Sequence, residues 1–157
     1  MSRDFTRFEK PELIHNFITG CGEAGHKVIV TSVDRDYKEQ YAYFCQGREP
    51  LEVVNKFRKI AGLSPIKQSE NQKKVTWTLN SKHVVNPDDE KLDNDKSRAF
   101  DFAILYGRQV SWDVKADVDN DQIPDYLECA MVGESLGLYS GRHFKNADFP
   151  HLQIGKS

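Results

Sequence analysis

The segment Ala99-Phe100-Asp101-Phe102-Ala103-Ile104-Leu105 constrains the chain more than any other, because it places one carboxylate in the middle of an otherwise apolar run. Its length and its branched and aromatic side chains read as a buried strand. An unpaired charge there would cost several kcal/mol, so the fold must bring Asp101 a compensating arginine or a metal ion. The surrounding core has to be substantial, and 157 residues suffice for one domain of ordinary size.

The rest of the pattern supplies that core. Leu13, Phe17, Ile18 and Cys21 recur at helical spacing over residues 12–24, before Gly20, Gly22 and Gly25. Val28 to Thr31 then reads as a short buried strand, Asp36 to Phe44 as a helix, and Pro50 to Gly62 as another. Lys74 to Leu79 alternates as a half-exposed strand should, Tyr126 to Leu136 reads as the last helix, and Pro150 to Ile154 as a terminal strand. Pro87 to Lys96 is almost entirely polar or charged and is expected to form a surface insertion, about 84–96. The expected fold is α+β, a single domain over 1–157 with a small, largely antiparallel sheet flanked by helices.

Charge and cysteine content narrow the function. Twenty-two basic and 24 acidic residues give a net charge of -2, without the Lys/Arg block that tracks phosphates, so nucleic acid is not the expected partner. Cys21, Cys45 and Cys129 are widely spaced, contain no CxxC pair, and are expected to be reduced and packed. The N-terminal residues carry charges throughout, with no apolar secretory core, and no run of about 18 apolar residues occurs. Synthesis in the cytoplasm without membrane insertion is the expectation, and a monomer the expected state.

Hydrolytic zinc sites use three ligands from His, Asp or Glu, an open position for water, and a carboxylate to take its proton. His83, Asp101 and His151 are candidates for the first role, and Asp148, three residues before His151, for the second. Spacing alone leaves His83 readable as an ordinary histidine and Asp101 as a partner of an arginine.

The pattern Ser81-x-His83, Ala99-x-Asp101, Gly137-Leu138 with Gly141, and Asp148-x-Pro150-His151 resembles the zinc peptidases grouped with the VanY-type D-Ala-D-Ala carboxypeptidases. It is most similar to their L-alanyl-D-glutamate endopeptidase branch, known from phage endolysins. Val30 to Gln40, followed by Gln46-Gly47-Arg48, is similar to upstream motifs of the same family. The resemblance implies zinc on His83, Asp101 and His151, Asp148 as general base, Arg35 near the scissile carbonyl, and Ser81 and Gln40 near substrate. It implies a hydrolase of peptidoglycan stem peptides that acts on the wall after release from the cell, with no separate wall-binding domain. The chain departs from the family pattern in the 18-residue step from His83 to Asp101, in Ser97 where the family has glycine, and in Ser140, Arg142 and Phe144. A D-Ala-D-Ala carboxypeptidase is the alternative within this chemistry.

A second pattern lies outside those motifs. Asp117, Asp119, Asp121, Asp125 and Glu128 occupy positions one, three, five, nine and twelve of a calcium-loop spacing, with Gln122 where such loops carry glycine. The other reading of this stretch is an acidic loop in which Asp125 caps the helix beginning at Tyr126. A calcium-binding virion module without catalysis is the alternative from a different functional class.

Overall fold

The computed structural model describes residues 3–34, 37–77 and 96–156. The fold is α+β, with four helices and an antiparallel five-stranded sheet among these residues. The chain falls into two compact units, one spanning Arg35–Asp95 and the other combining Ser2–Asp34 with Lys96–Ser157. No helix among the described residues is long and apolar enough to cross a membrane.

The second of these units holds the sheet. Helix α1 (Pro11–Glu23) starts with proline at its first turn and buries Ile14, Phe17 and Cys21, a spacing of three and four that keeps them on one face. It stops where Gly25 takes a φ of +93°, with the His26 N–H reaching back to the Cys21 carbonyl and the Gly25 N–H to that of Gly22. This left-handed stop favours glycine and turns the chain directly into β1 (Lys27–Ser32).

Strand β2 (Ala99–Tyr106) is the centre of the sheet, with β3 (Gln109–Ser111) returning from it. β1 covers one edge of β2, while β5 (His151–Gln153) and β3 share the other; β4 (Tyr139–Ser140) lies beyond β5. Ala99, Phe100, Phe102, Ala103 and Ile104 are fully buried, as the apolar run requires. Phe17 meets Phe100 and Phe102 edge-on, with centroids 5.5 and 4.9 Å apart, and Phe102 stacks on Tyr126 of helix α4 (Asp125–Ser135). The Tyr126 hydroxyl donates to the Ser111 carbonyl at 2.5 Å and accepts from the Ile104 N–H at 3.2 Å. Helix α4 ends as α1 does, at Gly137 with φ +89°, and Gly133 presses against Leu152 so closely that a Cβ there would collide.

Ser97 is fully buried. Its hydroxyl lies 2.6 Å from the Val33 carbonyl, and its backbone exchanges hydrogen bonds with Arg7 and Glu9. The hydroxyl therefore ties the entry of β2 to the end of β1.

The other unit contains α2 (Tyr37–Cys45) and α3 (Leu51–Ile60). The Gln46-Gly47-Arg48 turn between them is structural. Gln46 donates to the Glu70 carbonyl, the Gly47 N–H to Asn71, and Arg48 to the carbonyls of Phe44 and Thr76, with its guanidinium over the Phe44 ring. The strand expected over Lys74 to Leu79 is not formed by Lys74–Trp77, and Thr78 and Leu79 lie outside the described residues. Val75 and Trp77 are exposed while Thr76 is buried, the reverse of what a core-facing alternation demands. All three cysteines are free and buried.

Candidate functional site

Sheet register brings together two of the residues singled out by sequence. Asp101 in β2 and His151 in β5 are direct cross-strand partners, a placement that holds their Cβ atoms about 5 Å apart on one face. The His151 Nδ1 lies 3.3 Å from the Asp101 Oδ1, and Asp148 supplies a third donor, so that one atom from each residue lies within 4.8 Å of the others. His151 is buried, Asp101 partly buried and Asp148 exposed, so the cluster has one open side.

The loop that carries Asp148 is positioned by backbone. The Asp148 N–H donates to the Gly141 carbonyl at 2.8 Å, and its own carbonyl accepts from the His151 N–H at 3.2 Å. A Cβ on Gly141 would collide with the Asp148 backbone, which gives this glycine of the motif a steric reason. Ser140 caps the turn that follows, and Arg142 grips Glu134 of α4 through two bonds, at 2.6 and 3.1 Å. Phe144 places its ring 5.3 Å from the His151 imidazole.

Gln153 fixes which nitrogen of His151 faces the cluster. Its amide nitrogen donates to the Gly155 carbonyl at 2.7 Å, so its oxygen is the atom 2.8 Å from the His151 Nε2. An oxygen there accepts a hydrogen bond from the Nε2–H, which leaves Nδ1 directed at Asp101. Burial pulls the His151 pKa down. The hydrogen bond and charge of Asp101, with Gln153 and the charge of Asp148, more than reverse this and hold the imidazole above its ordinary value. A buried imidazole nitrogen beside the Asp101 carboxylate, with the second ring nitrogen held by an acceptor, suits a divalent metal ion, and Asp148 lies on the open side of that pair.

His83, Ser81 and Arg35 lie outside the described residues, as does the 84–95 part of the insertion. Gln40 is fully buried in its own unit, where it donates to the Thr76 hydroxyl at 3.1 Å.

The acidic loop forms a second cluster. Asp117 accepts from the N–H groups of Asp121 and Gln122, and Asp121 from that of Ile123, folding Asp117, Asp119 and Asp121 together. Partial desolvation raises the Asp119 pKa, and so do its hydrogen bond with Asp117 and the charges of Asp121 and Asp125. Asp125 does not cap α4. Pro124 stands at the cap, and Asp125 is the first helical residue, with its Oδ2 accepting from the Tyr106 hydroxyl at 2.5 Å and the Val118 N–H at 3.2 Å. Burial, followed by that bond to Asp125, pushes the Tyr106 pKa up, so Tyr106 remains a donor.

Two contributors were not singled out by sequence. His26 completes a group with Asp119, Asp125 and Glu128, its Nε2 2.7 Å from the Glu128 carboxylate; nothing local in the sequence points to this. Gln153 follows His151 by two residues, and a period of two puts both on one strand face, which is a usable signal.

No family model matches the sequence, and no curated protein does. Among solved structures the chain is similar to the crystal structure of the Serratia marcescens L-Ala D-Glu endopeptidase ChiX. Identity is 16%, covering 92% of this chain and 79% of that one, with a TM-score of 0.49.

Proposed function

We propose that the chain is a zinc-dependent hydrolase of peptidoglycan stem peptides that cleaves the L-alanyl-D-glutamate bond. The observation that carries this reading is the convergence of Asp101, Asp148 and His151 through the register of β2 against β5. The motif resemblance assigns those same positions to metal and general base.

In this reading Asp101 and His151 would hold the metal, with His83 added as a ligand by the motif resemblance alone. Bound there, zinc supplies Lewis acidity toward a carbonyl oxygen and toward water. Gln153 keeps the imidazole Nδ1 turned toward Asp101. Asp148, on the open side of the cluster, takes the proton from the attacking water and returns it to the departing amine. The motif resemblance would give Arg35 the charge that develops on the carbonyl oxygen. Phe144 forms an apolar wall beside His151, favouring desolvation of the reacting group.

The test is incubation of the purified protein with zinc and muropeptides, followed by mass analysis. A new N-terminal D-glutamate is expected, and its rate should fall by about 10² to 10⁴ in Asp148→Ala. Release of terminal D-alanine instead would establish the carboxypeptidase reading. No cleavage by wild type, or cleavage unchanged in Asp148→Ala and His151→Ala, would remove the catalytic assignment and favour the non-catalytic module.

A further inference from the structure

The loop Asp117–Glu128 lies apart from the residues of the zinc reading and gathers carboxylates of its own. Its carboxylates alone would not establish a metal site, because acidic surface loops are common. The deciding observation is Asp125. Its side chain is fully buried, and while Oδ2 is occupied by Tyr106 and Val118, Oδ1 has no hydrogen-bond partner among the described residues. Buried carboxylate oxygens are normally satisfied, so an orphan calls for a ligand.

Asp125 offers an oxygen within 4.8 Å of donor atoms from Asp119, Glu128 and His26. A cavity of about 130 Å³, lined in part by His26, Tyr106, Asp119 and Asp125, lies on the same side. Asp119 also belongs to the group with Asp117 and Asp121, so the two halves of the loop share a member. Gln122 adopts a φ of +72°, the left-handed conformation that the sixth position of such a loop requires. His26 bonds Glu128 at 2.7 Å and lies 3.8 Å from Asp119, holding the twelfth and third positions toward each other.

We propose that this loop binds one calcium ion through Asp117, Asp119, Asp121, Asp125 and Glu128, with His26 orienting Glu128. The donors are carboxylate oxygens at the spacing a hard cation of variable coordination needs, which favours calcium over zinc. Bound there, the ion satisfies the Asp125 oxygen and neutralises the crowded carboxylates at the start of α4.

Calorimetric titration of the chelator-treated full chain with calcium, magnesium and zinc chlorides tests this. One calcium site is expected, with a Kd between about 10⁻⁶ and 10⁻³ M. Asp119→Asn, at an exposed position that does not endanger folding, should weaken it at least tenfold, and Asp125→Asn at least a hundredfold. Asp113→Asn, outside the ligand set, should leave it unchanged. His151→Ala should still bind one calcium ion, which separates this site from the proposed zinc centre. A flat calcium trace in wild type would overturn the proposal. So would calcium binding insensitive to both ligand variants, or tighter zinc binding at the loop that His26→Gln abolishes.

Discussion

Replacing Gln153 by leucine probes the orientation of His151 without touching a proposed metal donor. Gln153 is buried, spends its amide nitrogen on the Gly155 carbonyl, and presents its oxygen to the His151 Nε2 at 2.8 Å. Leucine keeps much of the volume but offers no acceptor, so the Nε2–H loses its partner and the ring loses the constraint that aims Nδ1 at Asp101. Leaving one buried donor and the Gly155 carbonyl without this partner costs about 1–3 kcal/mol of stability. The effect on zinc is separate. Loss of the acceptor behind a ligating histidine typically lowers metal affinity by about 10–100-fold, equivalent to about 1.4–2.7 kcal/mol. Competition titration against a chromogenic zinc chelator measures the affinity, and urea unfolding of the metal-free protein measures the stability. Gln153→Glu retains an acceptor and should keep affinity within a few fold of wild type, although it sacrifices the bond to Gly155. Wild-type zinc affinity in Gln153→Leu, with the protein folded, would refute the orienting role. Equal losses in the leucine and glutamate variants would do the same.

Other perturbations test separate parts of the fold. Tyr126→Phe keeps the stacking on Phe102 but strands the Ile104 N–H and removes a donor from Ser111, so about 1–3 kcal/mol should be lost in urea unfolding. An effect below about 0.5 kcal/mol would contradict that account. Glu134 is held below its ordinary pKa of 4.5, first by its hydrogen bond from Arg142. Its contribution is therefore present above that value and lost as pH falls through the depressed folded-state pKa. Glu134→Gln should cost about 0.5–1 kcal/mol at neutral pH, and the gap from wild type should close in acid; a gap that widens there would reverse the sign. Gln122→Gly relieves a left-handed backbone strained for glutamine and should raise stability by about 0.5–1 kcal/mol, whereas Gln122→Val should lower it. Thermal unfolding of the three proteins checks that order.

Elements with a sustained period were legible in the sequence, and those set by distant partners were not. The stripe in α1 and the apolar run in β2 announce themselves because each is long enough to show its spacing. β3 and β4, three and two residues long, carry no period; they form because β2 and β5 offer open edges. Lys74–Trp77 alternates yet makes no strand, since the buried member is Thr76, held by Gln40 and Arg48 in place of a ladder. Asp101 declared its need for a partner, while its meeting with His151 depends on a register between segments 50 residues apart. Asp148 was readable through its motif, but the reason for Gly141 beside it emerges only from their close approach. His26 had no sequence signal, because it reaches Glu128 through the helix stop at Gly25 and the packing of α1 beside α4.

The two proposed sites share the elements that hold them. β2 carries Asp101 toward one end and, five residues on, Tyr106 with its bond to Asp125, a separation of about 17 Å along an extended strand. α4 runs between the same two places. Its first turn presents Asp125 and Glu128 to the acidic loop, Gly133 presses against Leu152 next to His151, and Glu134 grips Arg142 in the turn leading to Asp148. An ion at the loop would thus act on the beginning of a helix whose end packs against the strand that carries His151. The mechanical consequence follows from close packing: Gly133 leaves no room for a Cβ, so a shift of α4 displaces Leu152 and, with it, the backbone beside His151. An ion at the proposed loop site would therefore bear on the Asp101, Asp148 and His151 cluster through the position of α4, with no requirement that the two sites share a ligand.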